Sequence, residues 1–240
     1  MSAIGPADRN LEILSVIARA IGPLRETVVF VGGCATSLLV TNVPAQPIRM
    51  TFDVDLVVQA VSRRAYHDVE KQFAALGFQH DTSRDAPICR WKKGEVTVDL
   101  MPTAEGILGF HNRWYELAVD TAQPYLLPDG TRIKLVAAPV FVATKFEAFK
   151  GRGKGDYFLS HDLDDIVTII DGRQTLVGEA RESPAELIDY LGREFSALLA
   201  DRNFIDALPG HLAPDASSQR RVTQLTARIR KLAALGGDSS

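Results

Sequence analysis

The stretch that decides the fold runs Val29-Phe30-Val31-Gly32-Gly33, and resumes at Arg49-Met50-Thr51-Phe52-Asp53-Val54-Asp55-Leu56. A β-branched and aromatic run that ends on two glycines and passes into Cys34 to Val40 reads as strand, tight turn and helix. Phe52 to Val58 reads as a second strand, and side chains alternate along a strand, so Asp53 and Asp55 project from one face while Val54, Leu56 and Val58 project from the other. The same alternation recurs at Val96-Thr97-Val98-Asp99-Leu100, where Asp99 is the single charge. If these strands are neighbours, three carboxylates converge, and carboxylates crowded on one face repel unless a cation lies among them. Oxygen donors of this kind suit Mg²⁺, which completes its shell with phosphates and water. The glycine turn supplies the complementary half, because amides at a helix start can meet phosphate oxygens where a side chain would block the approach.

Working outward, Leu11 to Ile21 and Arg63 to Leu76 read as helices, and Pro87 to Lys93 with Glu95 to Met101 as a hairpin around Gly94. Short strands are expected at Glu116 to Thr121, Pro124 to Leu127 and Arg132 to Val136, with a turn at Pro128-Asp129-Gly130. From Pro139 the pattern becomes helical: Pro139 to Lys150, a glycine-rich link from Gly151 to Gly155, and His161 to Ile170. A further helix is capped by Ser183 with Pro184 and Glu186 behind it, and a last one covers Gln219 to Leu235. The expectation is an α+β (mixed α/β) chain: a mixed sheet with flanking helices over residues 1–137, then a helical C-terminal region over 138–240 that completes an active-site cleft.

Composition excludes several classes. The chain has 240 residues, 46% of them hydrophobic and 24% charged, which fits a packed globular protein better than a disordered one. Its 27 Lys+Arg and 30 Asp+Glu give a net charge of -3, so it is no polycation. Two cysteines, Cys34 and Cys89, cannot make a disulfide framework or a four-thiolate zinc site, and a reducing cytoplasm is the default expectation. No basic and then apolar leader is visible in Met1 to Asn10, and no apolar run reaches membrane-spanning length. The five histidines lack H-x-x-x-H spacing, and neither a G-x-S-x-G elbow nor a P-loop is present. Cys34 reads as a small packing residue, and Trp91 and Trp114 as core or interface.

A lone D-x-D decides nothing, since Asp162-Leu163-Asp164 is another, in a helix where i and i+2 do not face each other. The ordered combination is more specific: strand, Gly32-Gly33, helix, a strand carrying Asp53 and Asp55, then a strand carrying Asp99. In this combination the chain resembles the DNA-polymerase-β-type nucleotidyltransferase superfamily. With Arg49-x-Thr51-x-Asp53-x-Asp55-Leu56, Lys145 and Asp162-Leu163-Asp164-Asp165-Ile166, it is more similar to the AbiEii/AbiGii and MenT group of toxin nucleotidyltransferases, over about Val28 to Arg173. Cys34 departs from that pattern, standing where a Ser often follows the turn.

The resemblance implies a Mg²⁺-dependent (or Mn²⁺-dependent) enzyme that transfers NMP from an NTP to an acceptor hydroxyl and releases pyrophosphate. Asp53 and Asp55 would hold metal, Asp99 would complete the metal site or act as base, and Gly32 and Gly33 would cradle the triphosphate with Arg49, Thr51, Lys145 and Arg152. It further implies an RNA acceptor such as a tRNA 3′ end and a cognate antitoxin protein as partner. Two alternatives remain beside it: the same chemistry on a small molecule or a protein, and a nucleotide-binding interaction module without turnover.

Lys145 falls at the centre of an apolar helical arc of Ala138, Phe141, Val142, Ala148 and Phe149, with Arg152 one heptad on. A lysine there either snorkels outward or points inward at something negative, such as a nucleotide phosphate. In the following helix Leu163, Ile166, Val167 and Ile170 form the core stripe. Asp162 reads as a first-turn dipole partner, whereas Asp165 is the candidate for contact with Lys145, base or ribose. Charge is segregated: Lys145 to Lys154 holds four basic residues and one acid, Arg220 to Lys231 holds five basic residues and no acid, and Ser160 to Tyr190 holds eight acids and two arginines. Two basic surfaces could thus meet a triphosphate or an RNA backbone, although solvated helix faces are the simpler reading of the C-terminal one.

Overall fold

The computed structural model describes residues 6–153 and 155–237. Met1 to Gly5 of the N-terminal stretch, Lys154 of the first basic segment and residues 238–240 of the tail lie outside the described residues.

The chain divides into two compact units, one of residues 1–38 and 49–137, the other of residues 39–48 and 138–240. The first contains α1 (Pro6–Ala20), β1 (Val28–Val31), β2 (Asp53–Val58), α3 (Arg63–Ala75), β3 (Gln79–His80), β4 (Arg90–Lys93), β5 (Val96–Pro102), α4 (Tyr115–Asp120), β6 (Gln123–Leu126) and β7 (Arg132–Leu135), and most of α2 (Gly32–Leu39). Its sheet is mixed and seven-stranded, in the order β3-β4-β5-β2-β1-β7-β6. β2 runs antiparallel to β1 and parallel to β5, and β1 runs parallel to β7. The strands carrying the candidate carboxylates are therefore neighbours, with Asp55 paired in register with Asp99 and Asp53 with Thr97. The faces alternate as expected: Val54, Leu56, Val98 and Leu100 are fully buried, while Asp53 and Asp55 are half-exposed. Leu14 and Ile17 of α1 and Phe73 of α3 complete this core.

One expected strand is a helix. Residues 115–120 form α4, because Trp114 and Ala118, four apart, are both buried and so need helical spacing, and the Asn112 side chain accepts from the Trp114 amide to start the turn. Tertiary burial overrides the strand character of that run.

The second unit is helical: α5 (Ala138–Arg152), α6 (His161–Gly172), α7 (Leu176–Arg181), α8 (Ala185–Ala200), α9 (Arg202–Ala207), α10 (Ala216–Arg220) and α11 (Val222–Ala233). No sequence pattern marks α7 or α9, and the expected last helix is divided between α10 and α11. Ser183 does not cap α8; its hydroxyl donates to the Glu179 carbonyl and closes α7 instead, leaving Pro184 at the cap. Residues 39–48 belong here through Asp171: its carboxylate accepts from the Ala45 amide (2.7 Å) and from Arg221 (2.8 Å). Among the described residues no helix is long and apolar enough to cross a membrane.

Candidate functional site

β1 passes directly into α2 at Gly32, whose φ of 71° lies in the left-handed region that glycine tolerates. The glycine has a second cause here. A Cβ built on Gly32 would overlap the Asp55 carboxylate and lie 2.7 Å from Asp55 Cβ. Gly32 is thus what lets the Asp55 carboxylate lie against the helix start. Gly33 is buried beside it.

Asp53 and Asp99 meet at a residue that sequence reasoning missed. Arg90 Nε donates to Asp99 Oδ1 (2.8 Å), and Arg90 Nη2 donates both to Asp99 Oδ2 (2.7 Å) and to Asp53 Oδ2 (2.9 Å). The Asp99 hydrogen bonds hold Arg90 above its ordinary arginine pKa against the opposing effect of burial, so the guanidinium is permanently charged. A signal for it existed: residues 90 and 99 lie equally far from the Gly94-Glu95 turn, and the hairpin pairs them in register. Trp91 is buried on the other face, so Arg90 had to share the face of Asp99.

Thr51 and the backbone of Arg49 are held from α1 and α2. Thr51 is buried, its hydroxyl 2.6 Å from Cys34 Sγ, and its amide donates to Asn10 Oδ1 (3.1 Å). Asn10 in turn donates to the Arg49 carbonyl (2.9 Å), so one fully buried side chain of α1 clamps the backbone that leads into Asp53. Burial pushes the Cys34 thiol up to about 12, and with the Asp55 and Asp53 charges outweighs the Thr51 hydrogen bond that favours the thiolate; the thiol is a packing group and no nucleophile.

In the second unit Lys145 neither snorkels nor stands open. It is 7% exposed, with Nζ 2.6 Å from Asp165 Oδ2 and 3.2 Å from Asp162 Oδ1. Arg152 closes on Asp162 as well, through Nε (2.8 Å) and Nη2 (2.7 Å). The helical arithmetic that placed Lys145 and Arg152 on one face was therefore sound, and so was the contact with Asp165. Asp162 is more than a dipole partner: burial alone would raise its pKa, but the Arg152 hydrogen bond and the Lys145 charge outweigh that and hold it below the ordinary carboxylate value. Asp164 projects elsewhere, to His211 Nδ1 (2.6 Å), whose Nε2 faces the Tyr157 carbonyl (2.7 Å).

The C-terminal basic segment also changes meaning. Arg221 pairs with Asp171, and Arg228 Nη1 donates to the carbonyls of Ile170 (2.9 Å) and Asp171 (2.7 Å) at the end of α6. Two of its five cations are thus internal ties, and Arg228 caps the C-terminal end of α6.

No known protein family matches the chain, and no curated protein does. Among solved structures, JHP933 from Helicobacter pylori superposes with a TM-score of 0.43 at 12% identity, covering 96% of this chain and 91% of that one. A candidate nucleotidyltransferase from H. pylori gives a TM-score of 0.43 at 10% identity, covering 96% of this chain and 94% of that one. The chemistry therefore rests on the geometry of the carboxylates.

The donor set can be tested against the metal ion that the resemblance implies. Among the described residues no group of three or more His, Cys, Asp or Glu side chains forms a ready metal site. The three-carboxylate cluster expected from the sequence is not assembled, since Asp55 turns to Gly32 while Asp53 and Asp99 converge on Arg90. Mg²⁺, however, is commonly held by one or two carboxylates with substrate phosphates and water making up the rest. Asp53 and Asp99, each presenting an oxygen to one cationic nitrogen, fit that requirement.

Proposed function

We propose that this chain is a metal-dependent nucleotidyltransferase. An acceptor hydroxyl oxygen attacks the α-phosphorus of a nucleoside triphosphate; the new P–O bond forms as the bond to the β-phosphate oxygen breaks, and pyrophosphate leaves with the electron pair. The observation that supports this reading is the convergence of Asp53 and Asp99, from adjacent parallel strands, on a single cationic point, with Asp55 beside them in register at the start of α2. Mg²⁺ or Mn²⁺, when bound by Asp53 and Asp99, would neutralise charge on the phosphoryl oxygens and lower the barrier to in-line displacement.

The chain's own residues do the rest. Asp99, buried beside the half-exposed Asp53, is either the base that takes up the proton released by the attacking hydroxyl or the second ligand. The amides at Gly32 and Gly33 offer donors to the triphosphate, and the Asn10 clamp fixes where Asp53 starts. The acceptor in this reading is an RNA 3′ end, as the resemblance implies, with an antitoxin protein as partner.

Incubation with each labelled NTP, Mg²⁺ and either total RNA or cell metabolites tests the proposal, because it reports nucleotide and acceptor together. Labelled RNA and free pyrophosphate are the expected products. A labelled small molecule would move the acceptor class, and tight Mg²⁺-NTP binding with no pyrophosphate would make the chain a binding module instead.

A further inference from the structure

Arg90 raises a question of occupancy. Its Nη2 lies 2.7 Å from Asp99 Oδ2 and 2.9 Å from Asp53 Oδ2, so one nitrogen sits where two carboxylate oxygens from different strands come together. A divalent ion ligated by the same two oxygens would compete with that nitrogen for them. Like charge at such close quarters opposes holding both cations there. The contact is built by the fold: the hairpin turn sets Arg90 opposite Asp99, and the parallel pairing of β2 with β5 brings Asp53 within reach of the same guanidinium.

Resting on the metal-dependent reading above, we propose that Arg90 is a resident counter-cation of the carboxylate pair, and that a divalent ion binds only by displacing Arg90 Nη2 from Asp53. In the free protein Arg90 relieves the repulsion between Asp53 and Asp99 and keeps the site closed to metal alone. Displacement leaves a guanidinium on the same face, where a triphosphate can accept its hydrogen bonds and compensate for the lost ion pair. Metal and nucleotide then enter as a couple, and a metal ion without nucleotide binds weakly.

The test is Mn²⁺ binding to the full chain without nucleotide, read by electron paramagnetic resonance of the free ion. Arg90→Gln, which removes the charge and keeps a donor, is expected to bind Mn²⁺ at least about tenfold more tightly than the wild type, or about 1.4 kcal/mol. Arg90→Gln combined with Asp53→Asn is expected to lose that gain. Unchanged or weaker binding in Arg90→Gln would overturn the inference, and if the wild type still released pyrophosphate only with metal, the metal-dependent reading would stand without it. Absence of both Mn²⁺ binding and pyrophosphate release in the wild type would remove that reading, and this inference with it. Should Arg90→Gln fail to fold, the Arg90 Nε–H resonance of the wild type decides: a Mg²⁺-dependent shift together with NTP supports displacement, and an unmoved resonance at saturating Mg²⁺-NTP contradicts it.

Discussion

The carboxylate of Asp55 occupies the volume that a side chain on Gly32 would need, so these two residues, 23 positions apart, can only be chosen together. Val31 pairs with Asp55 across β1 and β2, which carries the next residue, Gly32, under that carboxylate. Gly32→Ala therefore meets two penalties: a φ of 71° that alanine resists, costing about 1–2 kcal/mol, and overlap with Asp55. The expected outcome is a protein less stable by several degrees in Tm that has lost nucleotide transfer. Thermal melting and pyrophosphate release, measured on the same sample, check it; an unaltered Tm would mean that the turn opens freely.

The buried ion pair of Lys145 and Asp165 makes the second prediction. Lys145→Met takes away the ammonium that neutralises a 5% exposed carboxylate, and breaking one side of such a pair costs about 3–5 kcal/mol. Asp162 keeps Arg152 as partner, so the loss concentrates on Asp165. Adding Asp165→Leu to Lys145→Met is expected to restore most of the stability in urea denaturation. An additive second loss would show that the pair is not the unit that matters.

Acid stability follows from Asp162. Its folded pKa lies below the ordinary 3.8, so its contribution to stability is present above about pH 3.8 and is lost as pH falls through the folded value. Asp164, held down by His211 against its own burial, acts in the same direction. Asp162→Asn is accordingly expected to be less stable than wild type at neutral pH and to show a shallower decline of Tm below about pH 4. Parallel curves for the two proteins would contradict the assignment.

The sequence and the structure agree where one-dimensional periodicity suffices. Alternation placed Asp53, Asp55 and Asp99, and helical spacing placed Lys145 with Arg152. Agreement fails where a partner comes from far along the chain. Asp171 joins residues 39–48 to α11, and Asn10 reaches across to Arg49 and Thr51; no local pattern marks either. Arg90 stands between these cases, because counting outward from the Gly94-Glu95 turn would have set it opposite Asp99. The run from Glu116 to Thr121 has strand-like composition, and the burial of Trp114 and Ala118 overrules it.

Most directly, the central claim is tested by pyrophosphate release from the wild type and from Asp53→Asn, each with Mg²⁺, the four NTPs and total RNA. Asp53 is half-exposed at the head of β2, so the amide should leave the fold intact, which circular dichroism can verify. Metal-dependent pyrophosphate release by the wild type and a loss of at least about a hundredfold in Asp53→Asn is the predicted result, corresponding to about 2.7 kcal/mol of transition-state stabilisation. Equal rates from the two proteins, or no release from either, would contradict it.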